Sequence, residues 1–150
     1  MIKLMVTRFN NSTWNENKRW RETNNYLGCL YNSPVYIKEI IPLQIILYVI
    51  EMNNDTNKIL GFGKIINKVY TDRKYRVYEE RNYNRFTYRG KKRIDIEEID
   101  NIDIKAKIEK LEERLFKGKG HLKRGQGITQ LPKDVENEFI NFIVEKVFDS

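Results

Sequence analysis

The sequence has a single cysteine, Cys29, and a single histidine, His121, so it holds neither an internal disulfide framework nor a ligand set for structural zinc. A lone thiol fits an intracellular, reducing compartment. Long apolar runs are missing as well. The longest, around Ile40 to Ile50, contains Pro42 and Gln44 and falls far short of the roughly 20 residues that cross a bilayer, which argues against a membrane partner. The short apolar run Met1 to Val6 carries Lys3 and leads straight into polar residues, unlike a secretory signal. With three prolines and eight glycines, no Pro/Gly/Ser-rich stretch divides the 150 residues, so residues 1–150 read as one domain.

What is abundant is charge. Charged residues make up 33% of the chain against 40% apolar ones, enough for a compact core beneath a well-solvated surface. The net charge is +7, and it is segregated. Residues 64–93 hold eleven Lys/Arg against three acids, and residues 117–131 hold four against none. The acids gather in 94–116 and 132–150, where helices are expected. Such separation favours a polyanion, RNA or DNA, as partner. The wealth of Asn, Ile and Lys reflects an AT-rich coding sequence.

The pattern of elements is mixed α/β. Met1 to Phe9 reads as an opening strand, and Asn11, Ser12 and Thr13 offer caps for a short helix or turn. Gln44 to Met52 and Ile59 to Val69 are aliphatic on both faces and are joined by a polar turn, which predicts a buried central hairpin. Gly61 and Gly63 fall on one face of its second strand and predict a bulge or a close approach there. Tyr70 to Ile96 alternates aromatic and basic residues and predicts one or two further strands. Asp100 or Asp103 can cap a helix whose Ile104, Ile108, Leu111 and Leu115 form a core stripe. Pro132 starts a last helix with Val135, Phe139, Phe142, Ile143 and Val147 on one side.

The order of motifs carries a resemblance. The hairpin segment Ile59-Leu60-Gly61-Phe62-Gly63-Lys64-Ile65, after a β-rich opening and an aromatic turn, and the late segment Gly127-Ile128-Thr129-Gln130-Leu131-Pro132 before a terminal helix together resemble the PUA-like superfamily, especially its EVE and YTH-like branches. The resemblance covers most of the chain. It implies a small β-barrel or half-barrel with flanking helices that binds RNA or DNA, often holding one modified base in an aromatic pocket. The Gly-x-Lys-x-x-Glu-x-Arg signature of the related ASCH branch is absent, and the basic 64–93 segment and the acidic helix exceed a minimal domain of this kind.

Three constellations bear on binding. The first interleaves tyrosines with Arg73, Lys74, Arg76, Arg81, Arg85, Arg89, Lys91, Lys92 and Arg93; cations neutralise phosphates while flat side chains stack on unpaired bases. The competing explanation is a solvated sheet face. The second is the loop 117–127, in which Lys117, Lys119, Lys123 and Arg124 surround Gly118, Gly120, Gly125 and Gly127, a composition suited to a phosphate nest or equally to an exposed connector. The third is a set of aromatics, Trp14, Trp20, Tyr26 and Tyr31, offered as walls for a base pocket, although large aromatics are more often core.

Catalytic readings are weaker. Cys29 and His121 would have to meet by coincidence, and Asp103-Ile104-Lys105, with Asp95 or Glu51, only superficially matches the acid-x-Lys element of metal-dependent nucleases. The sequence therefore reads as a non-catalytic nucleic-acid-binding domain with no cofactor. The alternative from another class is a structural or assembly protein, for example a viral particle component, that holds nucleic acid or an acidic partner on its basic surface. A metal-dependent nuclease comes third.

Overall fold

The computed structural model describes residues 1–149. Its frame is a five-stranded sheet in the order β6 (Lys92–Asp95), β4 (Lys58–Ile66), β3 (Ile46–Asn53), β1 (Ile2–Phe9), β7 (Thr129–Gln130), with a separate two-stranded ribbon of β2 (Cys29–Ser33) and β5 (Phe86–Gly90). Strand β1 (Ile2–Phe9) lies parallel to β3 (Ile46–Asn53), which turns back antiparallel into β4 (Lys58–Ile66). The parallel pairing requires a crossover, supplied by helix α1 (Asn11–Thr23) and ribbon strand β2 (Cys29–Ser33). Ribbon strand β5 (Phe86–Gly90) runs on into β6 (Lys92–Asp95), which pairs with β4. Helix α2 (Ile102–Phe116), the short β7 (Thr129–Gln130) against β1, and α3 (Lys133–Phe142) complete the chain. No helix is long and apolar enough to cross a membrane.

The two-faced aliphatic pattern of the hairpin is explained by two cores. Alternate residues of a strand face opposite ways, so Leu4, Val6, Ile50 and Phe62 pack under Leu111, Leu115, Phe139 and Ile143 of the helices. Met5, Leu47, Val49 and Ile65 pack instead against Leu30, Tyr31 and Tyr88 of the ribbon. The predicted helical stripes are those that bury: Ile108, Leu111 and Leu115 on α2, and Val135, Phe139 and Phe142 on α3.

Both glycines of β4 mark close approaches. The register shifts between Glu51 and Met52, and a Cβ on Gly61 would lie 2.7 Å from both Arg93 Nη2 and the Ile94 carbonyl oxygen. A Cβ on Gly63 would collide with the Tyr31 hydroxyl. Side-chain absence on one face thus makes room for the ribbon and for a buried arginine.

Several expectations are corrected. No closed barrel forms among the described residues: the sheet keeps β6 and β7 as edges, and the ribbon is hydrogen-bonded as its own sheet. Residues 70–80 form no strand, and burial alternates only over 74–77: Tyr75 and Val77 are buried between exposed Lys74 and Arg76, and buried Tyr78 follows Val77 directly. Their backbone is satisfied by side chains instead. Asn84 Oδ1 accepts from the Val77 and Tyr78 amides, Asn84 Nδ2 donates to the Tyr78 carbonyl, and Asn32 Nδ2 donates to that of Tyr75. Helix α1 is capped by Asn10 in a reciprocal box with Thr13, and α2 by Asn101, whose side-chain Oδ1 accepts from the amides of Asp103 and Ile104.

Candidate functional site

Strand β1 pairs with β3 over its whole length, but β7 covers its other edge only at Met5 and Val6. Continuing that antiparallel register would set Gly127 opposite Arg8. Gly127 instead adopts φ +74°, a left-handed conformation that turns the chain away from β1. Its hydrogen-only side chain is also required by space, since a Cβ would lie 2.5 Å from Ser33 Oγ. The gap so opened is a cavity of about 320 Å³. It is walled by Thr7, Arg8 and Phe9 of β1, by Asn10 and Thr13 at the start of α1, and by Tyr31, Asn32 and Pro34 at the end of β2. Asn54, Tyr78, Tyr83 and the turn Gly125-Gln126-Gly127 close it.

Two buried polar atoms in this wall have no hydrogen-bond partner among the described residues. Arg8 donates from Nε to the Leu122 carbonyl at 2.6 Å and from Nη2 to Thr129 Oγ1 at 3.0 Å, but Nη1 is unpartnered. No acid of the described residues forms an ion pair with it, and burial lowers its pKa from the usual arginine value. Asn54 donates from Nδ2 to the Lys123 carbonyl at 2.8 Å, leaving Oδ1 buried and unpartnered. Native interiors seldom leave such atoms unsatisfied; two of the four found among the described residues fall in this wall, the others being Arg21 Nη2 and Arg89 Nε. The aromatic walls are held firmly. Tyr31 donates its hydroxyl to Glu51 Oε2 at 2.6 Å, and burial, with the Glu51 charge, pushes its pKa well up. The Tyr78 hydroxyl accepts from Asn17 Nδ2 at 3.3 Å, and burial raises its pKa too.

Beside the cavity lies a wider groove of about 850 Å³, walled by Tyr70, Thr71, Arg73, Lys74, Tyr75, Arg76, Tyr78, Glu79, Arg81, Asn84, Arg85 and Thr87. Tyr78 belongs to both walls. Lys74, Arg76, Arg81 and Arg85 are exposed, and none of them forms an ion pair among the described residues.

The remaining sequence candidates are distributed differently. Arg73 lies over Trp20 and Tyr75, 5.2 and 5.0 Å from their centroids. Arg89 lies over Tyr70 at 4.1 Å and reaches Asp72 at 3.7 Å. Lys91 and Lys92 are exposed where the ribbon turns into β6, outside the groove. Arg93 is buried against Glu51 and Asp95. Lys117 pairs with Glu113, Lys119 and Arg124 are exposed, and half-buried Lys123 gives its carbonyl to Asn54.

The loop's four glycines do not converge. Gly118 and Gly120 have nothing within 4 Å of a would-be Cβ, whereas Gly125 and Gly127 pack on Arg8 and Ser33 at the cavity. Of Trp14, Trp20, Tyr26 and Tyr31, only Tyr31 lines the cavity. Trp14 packs edge-on against Phe9 with Arg21 and Arg93 over its ring, Trp20 packs on Tyr26 and Tyr75, and the Tyr26 hydroxyl donates to the Gly90 carbonyl.

Cys29 is buried and its pKa is pushed up to about 12 by that burial, so its thiol stays protonated. His121 Nδ1 accepts from the Lys123 amide. Among the described residues no three His, Cys, Asp or Glu side chains gather as metal ligands.

Arg8 and Asn54 escaped the sequence reading. Arg8 is the second cation of β1, after Lys3, and carries no local mark that sets it apart; Asn54 sits unremarkably in a polar turn.

The glycines give a first prediction. Gly127→Ala should lower stability by about 1–2 kcal/mol, from its left-handed backbone and its contact with Ser33. Gly120→Ala, with open space around it, should be near neutral. Thermal melts of the two variants check this, and equal melting temperatures would mean that Gly127 does not shape the cavity wall. No family model matches this chain, and no curated protein or solved structure matches it.

Proposed function

We propose that this chain is a nucleic-acid-binding domain that seats one unpaired base in the cavity at the end of β1 while the cationic groove carries the adjoining backbone. The observation that carries the reading is Tyr78, a residue of both walls, which sets the cavity and the groove side by side. The cavity is within the size of small-ligand sites, and it combines aromatic walls with a few fixed polar groups, the pattern by which unpaired bases are held and read. Exposed cations without acidic partners are the usual footprint of phosphate binding. A five-stranded sheet with a ribbon packed across one face supports the half-barrel form of a PUA-like architecture.

The test is recovery of bound nucleic acid with the purified protein, nuclease trimming and mass spectrometry of its nucleosides. One base or modified base should be enriched over the input pool, and a strand with an abasic site at the protected position should bind more weakly. An unbiased nucleoside profile with equal binding of abasic strands would remove the base-reading role and favour a packaging protein that holds nucleic acid indifferently.

A further inference from the structure

Three of the four unpartnered buried polar atoms among the described residues belong to arginines. Two of those arginines face acids: Arg21 lies in the field of Glu51 and Asp95, and Arg89 reaches Asp72 at 3.7 Å. Arg8 does not. Its acceptors are a carbonyl and a hydroxyl, and burial, which lowers its pKa, is the one influence on that value. The cavity wall contains no Asp or Glu, and Arg8 is its single charged residue. The acids closest to the wall in register and sequence are engaged elsewhere. Glu51, opposite Thr7 in the sheet, is held by Arg93 and Tyr31, and Asp55, next to Asn54, accepts from the Asn11 amide. A charge withdrawn from water without a countercharge is unfavourable, and an anion in the cavity would supply one.

We propose that the cavity has an anion subsite at Arg8, which takes the phosphate of the nucleotide whose base the cavity seats. The inference rests on the nucleic-acid reading above. Leu122 and Thr129 hold the guanidinium in place from Nε and Nη2, which leaves Nη1 as its free donor. Gly125 and Gly127, at φ +127° and +74°, let the 125–127 turn lie against that guanidinium: a Cβ on Gly125 would sit 3.1 Å from Arg8 Cζ. The amides of Gly125, Gln126 and Gly127 donate to no backbone carbonyl among the described residues, so neutral donors remain in the same stretch of wall. Hydrogen bonds from a guanidinium to a phosphate are strong because both partners are charged. Every nucleotide carries that group, so the subsite adds affinity without sequence preference and leaves the reading of the base to the neutral side chains of the wall.

The test uses the full chain with the four nucleosides, their 5′-monophosphates, and a short mixed-sequence strand with and without a 5′-phosphate. Each monophosphate should bind about ten- to a hundredfold more tightly than its nucleoside, the range for one hydrogen bond to a charged group. Arg8→Gln should bring that ratio close to one, whereas Arg8→Lys should keep part of it by keeping the charge. Melting curves establish that both variants fold, and the parent's own ratio needs no variant. Tighter binding of the phosphorylated strand would support the subsite and assign the anion to a strand end. Equal binding of the two strands, alongside the monophosphate preference, would support it and assign the anion to a phosphodiester within the strand. If the parent binds strands but takes monophosphates no more tightly than nucleosides, the anion subsite is overturned and the nucleic-acid reading stands. A ratio unchanged in folded Arg8→Gln also overturns it, by placing the phosphate on the groove cations. Failure of the unaltered protein to bind any strand would overturn the reading on which it rests.

Discussion

Arg93→Ala is expected to destabilise the protein by about 3–5 kcal/mol, the usual cost of stripping one partner from a buried ion pair. Its side chain is only 6% exposed and grips Glu51, itself 1% exposed, through Nη2–Oε1 at 2.6 Å and Nε–Oε2 at 3.0 Å. Nη1 reaches Asp95 at 2.8 Å, and the Tyr31 hydroxyl donates to the same carboxylate of Glu51. Burial alone would depress the arginine's pKa, but the charge and hydrogen bonds of Glu51, with the bond to Asp95, outweigh it and raise the value above the usual range. Gly61 leaves the space this arrangement needs. Alanine would strand the Glu51 carboxylate between sheet and ribbon. The melting temperature should fall by roughly 6–20 °C for a chain of this size. Glu51→Ala in the same background should recover part of the loss, because the double variant leaves no unpaired charge. A single variant that melts with the parent would show that water or a rearranged cation relieves Glu51.

Arg93 also illustrates where sequence reading stops. Within the run 73–93 it is one arginine among several, and nothing in its immediate neighbours, Lys92 and Ile94, marks it as the one that is buried. What separates them is an acid 42 positions away in the chain, which spacing and composition do not reveal. Local periodicity was legible because it follows directly from which faces bury. The hairpin, the α2 and α3 stripes and the same-face pair Gly61 and Gly63 all correspond to packing in the structure. The 70–80 segment shows the limit of the same rule, since burial alternates only over 74–77 and Asn84 replaces the ladder that would have made it a strand. The resemblance-based barrel met a similar limit: which strands share hydrogen bonds is set by long-range pairing, and here the ribbon keeps to itself. Of the cavity, Tyr31, Gly125 and Gly127 were legible and the enclosure they belong to was not. Its wall joins β1, β2, the β3–β4 turn, the Tyr78–Tyr83 segment and the Gly125–Gly127 turn, and each contributes residues that look ordinary in isolation. Trp14, the most conspicuous aromatic, lies behind Phe9 rather than in the wall.

The combined change Lys74→Ala, Arg76→Ala, Arg81→Ala, Arg85→Ala should abolish most single-strand binding with little loss of stability. All four residues are exposed groove side chains without ion pairs among the described residues, so their removal should alter folding by no more than about 0.5 kcal/mol each. If each contacts a phosphate at about 1 kcal/mol, affinity falls by about a thousandfold. The more discriminating quantity is the salt dependence. A single strand releases about 0.7 counterion per phosphate neutralised, so the slope of log affinity against log salt should become shallower by about 3. A control, Lys91→Ala, Lys92→Ala, Lys119→Ala, Lys133→Ala, removes the same four charges from the net +7 at exposed positions outside the groove. Long-range attraction alone would make the two variants alike, because it depends on total charge and is screened within about a Debye length. Contact in the groove predicts that they part, with the control keeping the parental slope and losing little affinity. Filter binding or fluorescence anisotropy of both proteins across a salt series, with melting curves alongside, measures the difference. Coincident slopes for the two variants would mean that the basic stretch acts through overall charge and that no strand lies in the groove.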